Sequence, residues 1–83
     1  MNSLIETMPK ASYSDGRVFV LLPTGVNFSF PISGNWRLEA GTSTQLNNIE
    51  VDEEGIHWPE LDEDLSFDGL LSGDYGQYIR KRA

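Results

Sequence analysis

Residues 13–31, YSDGRVFVLLPTGVNFSFP, contain the signals that decide the fold. Asp15-Gly16 lies between two strand-like segments and predicts a hairpin, because both central positions of such a turn need a positive φ. Residues 18–22 form an apolar run that predicts a central strand covered on both faces. Pro23 and Gly25 then predict a second tight reversal, and residues 26–30 alternate apolar with polar side chains. We expect this half-buried strand to end at Pro31, because proline cannot donate to the ladder.

A second hairpin is predicted nearer the end of the chain. Residues 49–52 and 56–58 alternate apolar with polar side chains, and the turn Glu53-Glu54-Gly55 lies between them. Such a hairpin has an apolar inner face and an acidic outer face. By this alternation Trp58 points into the core and His57 points away from it.

Short helices are predicted at two places. Thr42 and Gln45 have the spacing of a capping box, which predicts a helix over residues 43–48. Ser66 can cap a last helix, whose apolar residues 67, 70 and 71 recur at helical spacing, and Gly73 can end it. The acids just before Ser66 are interpreted as caps or as solvated side chains, with Leu61 and Leu65 anchoring the segment.

Together these patterns predict an α+β fold: a small antiparallel sheet of about four to five strands with one or two short helices. Residues 32–41 have no clean period and are interpreted as a loop from which Trp36 and Leu38 reach the core. The residues predicted to form the core are Val18, Val20, Phe28, Phe30, Ile49, Val51, Ile56, Trp58, Leu65 and Leu70.

Length and composition limit the class of protein. Eighty-three residues make a single domain, 1–83, and a composition with 39% hydrophobic and 23% charged residues is that of a folded chain. The absence of Cys excludes disulfides and thiolate chemistry. The first ten residues, MNSLIETMPK, lack the pattern of a signal peptide, and no apolar run is long enough to span a bilayer, so we expect a cytoplasmic protein that does not enter a membrane.

The net charge of -7 is concentrated in one part of the chain. Residues 49–78 contain ten carboxylates and no Lys or Arg, and a basic tail over residues 77–83 follows them. A field of this sign repels phosphate, so we expect no direct binding of nucleic acid. Two interpretations stay open: the acidic segment attracts a basic protein partner, or it is a solvated face that keeps the domain soluble.

The densest carboxylate cluster, residues 60–64, is a candidate cation site because Ca²⁺ and Mg²⁺ prefer oxygen ligands. Phe67 stands where a calcium loop needs Gly, and Gly73 stands where the closing Glu belongs, so the spacing does not match. We expect no catalytic, cofactor or metal site and no enzyme. A metal-dependent enzyme that uses Asp62 and Asp64 is the alternative from another class.

His57 is the single histidine, and no nucleophile pattern such as G-x-S-x-G accompanies it. One interpretation is an exposed imidazole that is hydrogen-bonded to a nearby acid. The other places it with Glu60 and Asp62 in a partner-binding face, where carboxylates would favour the imidazolium form. Trp36 and Trp58 are both interpreted as core residues.

Residues 55–73, GIHWPELDEDLSFDGLLSG, resemble the C-terminal signature of the family named domain of unknown function 2442. The resemblance extends over about residues 10–73, since the upstream strands, the Trp36-Arg37-Leu38 segment and the Thr-rich helix follow the same order. Two details depart from the family pattern: Pro23-Thr24-Gly25 replaces Asp-Gly-Arg, and Asn35-Trp36 replaces Tyr-Pro.

The resemblance implies a small bacterial α+β protein without an established activity. Members of this family are often encoded beside a second small family, domain of unknown function 4160, in pairs that look like toxin–antitoxin modules. We therefore expect a non-enzymatic, antitoxin-like protein that binds a small basic partner; a standalone adaptor or self-associating domain, and hence a homo-oligomer, is the alternative. The residues predicted to bind the partner are His57, Glu60, Asp62, Glu63, Asp64 and Asp68.

Overall fold

The computed structural model describes residues 8–77, and the basic tail predicted over residues 77–83 therefore lies, beyond Gln77, outside the described residues. The elements in chain order are β1 (Lys10–Ser14), β2 (Arg17–Leu21), β3 (Asn27–Pro31), α1 (Trp36–Glu39), α2 (Ser43–Asn47), β4 (Glu50–Val51), β5 (Gly55–Trp58), β6 (Glu63–Ser66) and α3 (Phe67–Leu71). The α+β class is confirmed. The expected single sheet of four to five strands is corrected to two three-stranded antiparallel sheets, β1-β2-β3 and β4-β5-β6, and the described residues contain three helices.

Both predicted turns of the first sheet are confirmed. Asp15 and Gly16 join β1 to β2 with φ values of 49° and 82°. Gly25, with a φ of 96°, donates its N–H to the carbonyl of Leu22 at 2.9 Å in the turn between β2 and β3. β3 ends at Pro31. Local turn chemistry therefore sets the register of the whole first sheet.

The prediction that β2 is covered on both faces is wrong. Val18 and Val20 are 0% and 2% exposed, whereas Phe19 and Leu21 are 45% and 42% exposed. The reason is the two-residue period of the strand, which directs alternate side chains to opposite faces. Only the face that carries Val18 and Val20 packs against the core, in a cluster that also includes residues of the second sheet.

The segment predicted to be a loop contains α1. The side chain of Asn35 caps this helix, accepting hydrogen bonds from the backbone N–H groups of Arg37 and Leu38, each at 3.1 Å. Leu38 is buried as expected, but the prediction for Trp36 is wrong, because its side chain is 60% exposed. Residues two apart lie about 200° apart around a helix, so they cannot both face the core.

The capping signals of the other two helices are confirmed. Thr42 and Gln45 form the predicted capping box at the start of α2. Ser66 caps α3 by accepting from the N–H of Gly69, and Gly73 follows the helix with a φ of 92°. No helix within residues 8–77 is long and apolar enough to cross a bilayer.

The second sheet contains the predicted hairpin and one strand that the sequence did not predict. β4 and β5 pair as expected, and Oδ1 of Asp52 accepts from the N–H groups of Glu54 and Gly55 in the turn between them. β6 pairs with β5 through Leu65 opposite Ile56. The sequence of β6, EDLS, has one apolar residue and two acids, which are depleted in strands, so its pattern was not strand-like.

One hydrophobic cluster lies between the two sheets and the helices. Of the predicted core residues, Phe28, Ile49 and Val51 are only partly buried and pack at its margin, and the other seven are buried. Trp58 is fully buried and donates its indole N–H to the carbonyl of Leu46 at 3.0 Å, which confirms its predicted place in the core and links β5 to α2. Two further buried residues, Leu46 and Phe67, were not predicted to lie in the core.

Candidate functional site

The outer face of the second sheet brings together ionisable side chains from all three strands. The register places His57 of β5 between Glu50 of β4 and Asp64 of β6. Asp52 reaches the same imidazole from the turn that follows β4. We call these four residues the acidic face.

His57 is held between two aspartates. Its Nδ1 lies 2.7 Å from Oδ1 of Asp64, and its Nε2 lies 2.8 Å from Oδ2 of Asp52. A neutral imidazole can donate from only one nitrogen, so both bonds form fully only with the imidazolium ion. The hydrogen bond to Asp64 first, and that to Asp52 second, raise the pKa of His57 above its usual value, and burial opposes them.

The same contacts act on Asp52. The hydrogen bond from His57 is the largest influence that lowers the pKa of Asp52, followed by the two backbone N–H groups of Glu54 and Gly55. The side chains of Asp52 and Asp64 are nonetheless 56% and 79% exposed. Since one imidazolium faces three carboxylates, the acidic face keeps a net negative charge that is exposed to solvent.

Three of the four remaining predicted partner-binding residues lie elsewhere on the surface, each in a different environment. Glu60 accepts from the side-chain amide of Asn48 at 2.7 Å. Asp62, with a φ of 55° and a side chain that is 98% exposed, binds Nη1 of Arg37 through its carbonyl at 3.0 Å and its carboxylate at 3.4 Å. Asp68 is exposed in the first turn of α3.

Glu63 is directed inward. Its Oε2 accepts from Nδ2 of Asn35 at 2.7 Å, and Asn35 is 1% exposed. A side chain at Gly76 would collide with this pair, so the segment after α3 closes over it. The structure thus gives Glu63 an internal bonding partner, and of the six predicted residues it brings His57 and Asp64 into direct contact.

Glu50 and Asp52 belong to the acidic face but were not among the predicted site residues. A signal for them existed in the sequence. With a turn over residues 52–55, strand pairing puts Glu50 opposite His57 and leaves Asp52 at the corner. A second feature was also missed: the guanidinium of Arg37 stacks on the exposed ring of Trp36, 4.8 Å from its centroid. No pattern in the sequence indicates this contact.

The contacts of His57 limit its use as a general base. Both ring nitrogens of His57 are already bonded to carboxylates, so neither can accept a proton from a substrate without breaking one of these bonds. Asp62 and Asp64, the pair considered for a metal-dependent enzyme, bind Arg37 and His57 respectively. Within residues 8–77, no group of three or more His, Cys, Asp or Glu side chains is arranged to hold a metal ion.

The fold and the acidic face define the class of protein: a small α+β domain in which two three-stranded sheets share a core and one sheet presents carboxylates outward. Residues 10–76 match the family described as "Protein of unknown function (DUF2442)", and the chain belongs to this family, as the resemblance in the sequence indicated. A solved structure, described as a protein of unknown function from Rhodospirillum rubrum ATCC 11170, is 39% identical with a TM-score of 0.72 over 82% of this chain and 87% of that chain. Comparison with curated proteins gives no match.

Proposed function

We propose that this domain is a non-enzymatic protein-binding module that docks a small basic protein on its acidic face. The single observation that carries the proposal is the row of side chains across all three strands of the second sheet, in which Glu50 and Asp64 flank His57 and remain exposed. The resemblance adds the expected setting, an antitoxin-like partner of a small basic protein from the domain of unknown function 4160 family.

The geometry of the acidic face suits this role in two ways. Clustered charges of one sign speed the encounter with a partner of the opposite sign and disfavour partners of like sign. The bonds from His57 also fix the positions of Asp52 and Asp64 before a partner arrives, which lowers the entropy lost on binding.

Self-association is the second candidate, and one observation favours it. Phe19 and Leu21 expose nearly half of their surfaces on the outer face of the first sheet. Apolar residues on a central strand are typical of a surface that another protein covers. A homo-oligomer formed through this face would leave the acidic face open to solvent.

The first test is tagged co-purification from the native host at low salt, with mass spectrometry and native mass measurement of the eluate. A small basic protein at near-equal stoichiometry, released as salt rises, supports the proposal. A stable homo-oligomer of the bait alone supports self-association instead.

Glu50→Gln then tests the face itself, because it removes one charge and leaves the bonds of His57 in place. The matched control is Asp15→Asn, which removes one charge from the hairpin of the first sheet at a positive-φ position that Asn tolerates. We expect Glu50→Gln to weaken binding of the co-purified protein about twofold to fivefold at low salt, and the control to leave it unchanged. Equal effects of the two variants contradict the proposal.

A further inference from the structure

The strand β6 forms one edge of the second sheet and directs backbone groups outward. The N–H of Phe67 donates to the carbonyl of Glu54, which fixes the alternation of hydrogen-bonded pairs along β5 and β6. Leu65 therefore bonds to β5, whereas the backbone groups of Asp64 and the N–H of Ser66 point away from it. The N–H of Asp64 donates to Oε1 of the neighbouring Glu63 at 3.2 Å, a contact that an added strand would replace. No strand within residues 8–77 pairs with this edge.

The other sheet edges are less suited to pairing with a further strand. The N–H of Ile32 donates to the carbonyl of Gly16, so by the same alternation the nitrogen of Pro31 lies on the outer edge of β3, where it cannot donate. α2 lies beside β1, and β4 has only two residues. β6, with four residues, is the longer edge strand of the second sheet.

An open depression runs along β6 between this strand and the segment that follows α3. Its lining includes Asp64 and Ser66 on one side and Gly69, Asp74 and Gly76 on the other. The acids belong to the stretch of residues 49–77 that contains no Lys or Arg. The charge of the depression thus favours a cationic segment, and four consecutive residues of its lining, 63–66, are those of β6.

We propose that the edge of β6 receives an extended basic segment of the partner as an added strand. This inference rests on the proposed function and gives it a binding mode, in which main-chain hydrogen bonds provide affinity and alternate side chains provide specificity. A partner residue that pairs with β6 beside Asp64 would place its side chain on the acidic face. The segment it recognises therefore has Arg or Lys at every second position.

The probe is the peptide acetyl-(Val-Arg)₃-amide, titrated into the full chain at low ionic strength. Two further peptides carry N-methyl groups either on every Arg nitrogen or on every Val nitrogen, so all three have the same charge. An added strand uses only alternate N–H groups, so we expect one methylated peptide to bind at least about tenfold more weakly and the other to bind like the parent. Amide hydrogen exchange at Asp64 and Ser66 should slow when the parent peptide binds.

A variant of the protein tests the same bond from the other side. Ser66→Pro removes the outward backbone N–H at a residue whose φ of -84° suits proline. Ser66→Ala is the matched control: both variants lose the side-chain hydroxyl that caps Gly69, but only Ser66→Pro loses the backbone N–H. We expect Ser66→Pro to bind the parent peptide several-fold more weakly than Ser66→Ala. Since Ser66→Pro can also disturb folding, the methylated peptides with the unchanged protein decide the question.

The outcomes separate this inference from the proposed function. If both methylated peptides bind as well as the parent and Glu50→Gln weakens all three, the acidic face attracts basic segments by charge alone and the added strand is overturned. If no peptide binds at low ionic strength, the acidic face does not select basic segments and the proposed function falls as well.

Discussion

The network around Asn35 allows a quantitative prediction about stability. Its Oδ1 accepts from the N–H groups of Arg37 and Leu38, and its Nδ2 donates to Glu63 at 2.7 Å and to the carbonyl of Tyr75 at 3.0 Å. One buried side chain thus joins the start of α1 to β6 and to the segment after α3. We expect Asn35→Ala to lower the free energy of unfolding by about 3 kcal/mol.

The magnitude follows from the bonds that are lost. Removing an N-cap side chain costs about 1 kcal/mol, and each of the two donated hydrogen bonds contributes about 1 kcal/mol net. A domain of this length has roughly 4 to 12 kcal/mol of stability in total. The substitution should therefore lower Tm by roughly 12 to 24 °C.

Urea unfolding followed by the fluorescence of the buried Trp58 measures this change. The matched control is Asn27→Ala, at an exposed position of β3, which should cost less than about 0.5 kcal/mol. Asn35→Asp separates the two roles of the side chain, because it keeps the cap but replaces the donor to Glu63 with a second carboxylate. If Asn35→Asp is as stable as the unchanged protein at neutral pH, the bond to Glu63 contributes nothing and the reasoning is refuted.

Three further predictions concern pH and packing. Because the pKa of His57 is raised, the stability that His57 adds should be fully present below the usual histidine pKa of about 6.5 and be lost as pH rises through the raised pKa. Urea midpoints measured across this pH range should show the loss, and His57→Gln should abolish the pH dependence. Trp58→Ala should cost about 3 to 5 kcal/mol and Trp36→Ala less than about 1 kcal/mol in the same assay, and equal costs would contradict the assigned burial. Gly55→Ala should be strongly destabilised, because its methyl group would collide with the carbonyl of Leu65. If this variant had the same urea midpoint as the unchanged protein, β5 and β6 would have to separate at this point.

The parts of the fold that the sequence predicted are those determined by neighbouring residues. The Asp15-Gly16 turn and the Thr42–Gln45 capping box each depend on side chains within a few positions, so their geometry follows from residue type alone. β6 was missed because its pairing with β5, and not its own pattern, makes it a strand. The division into two sheets likewise depends on contacts between distant segments, which a single sequence does not display.

The same distinction applies to the site. The outward direction of His57 follows from strand alternation, and its contact with an acid was one of the two interpretations that the sequence left open. The inward direction of Glu63 could not be predicted, because its partner Asn35 lies 28 positions earlier in the chain. Neutralising Glu63 together with its acidic neighbours would therefore disturb the core as well as the surface, and Glu50→Gln is the cleaner test of charge.

The protonation of His57 links stability and binding with opposite signs. Below its raised pKa, the imidazolium bonds to Asp52 and Asp64 and cancels one of the negative charges of the acidic face, which also includes Glu50. As pH rises and the proton leaves, the neutral imidazole can donate only one of the two hydrogen bonds, while the face becomes more negative by one unit. Arg remains charged throughout this range, so affinity for the Val-Arg peptide should increase where stability decreases.

Titration of this peptide at constant ionic strength between about pH 5.5 and 8.5 measures the trend, and His57→Gln should remove it. A decrease in affinity with rising pH would mean that the fixed positions of Asp52 and Asp64 matter more to binding than the charge they carry. In that case His57 would be a positioning residue for the acidic face, and the geometry of Asp52 and Asp64, not the net charge of the face, would determine binding.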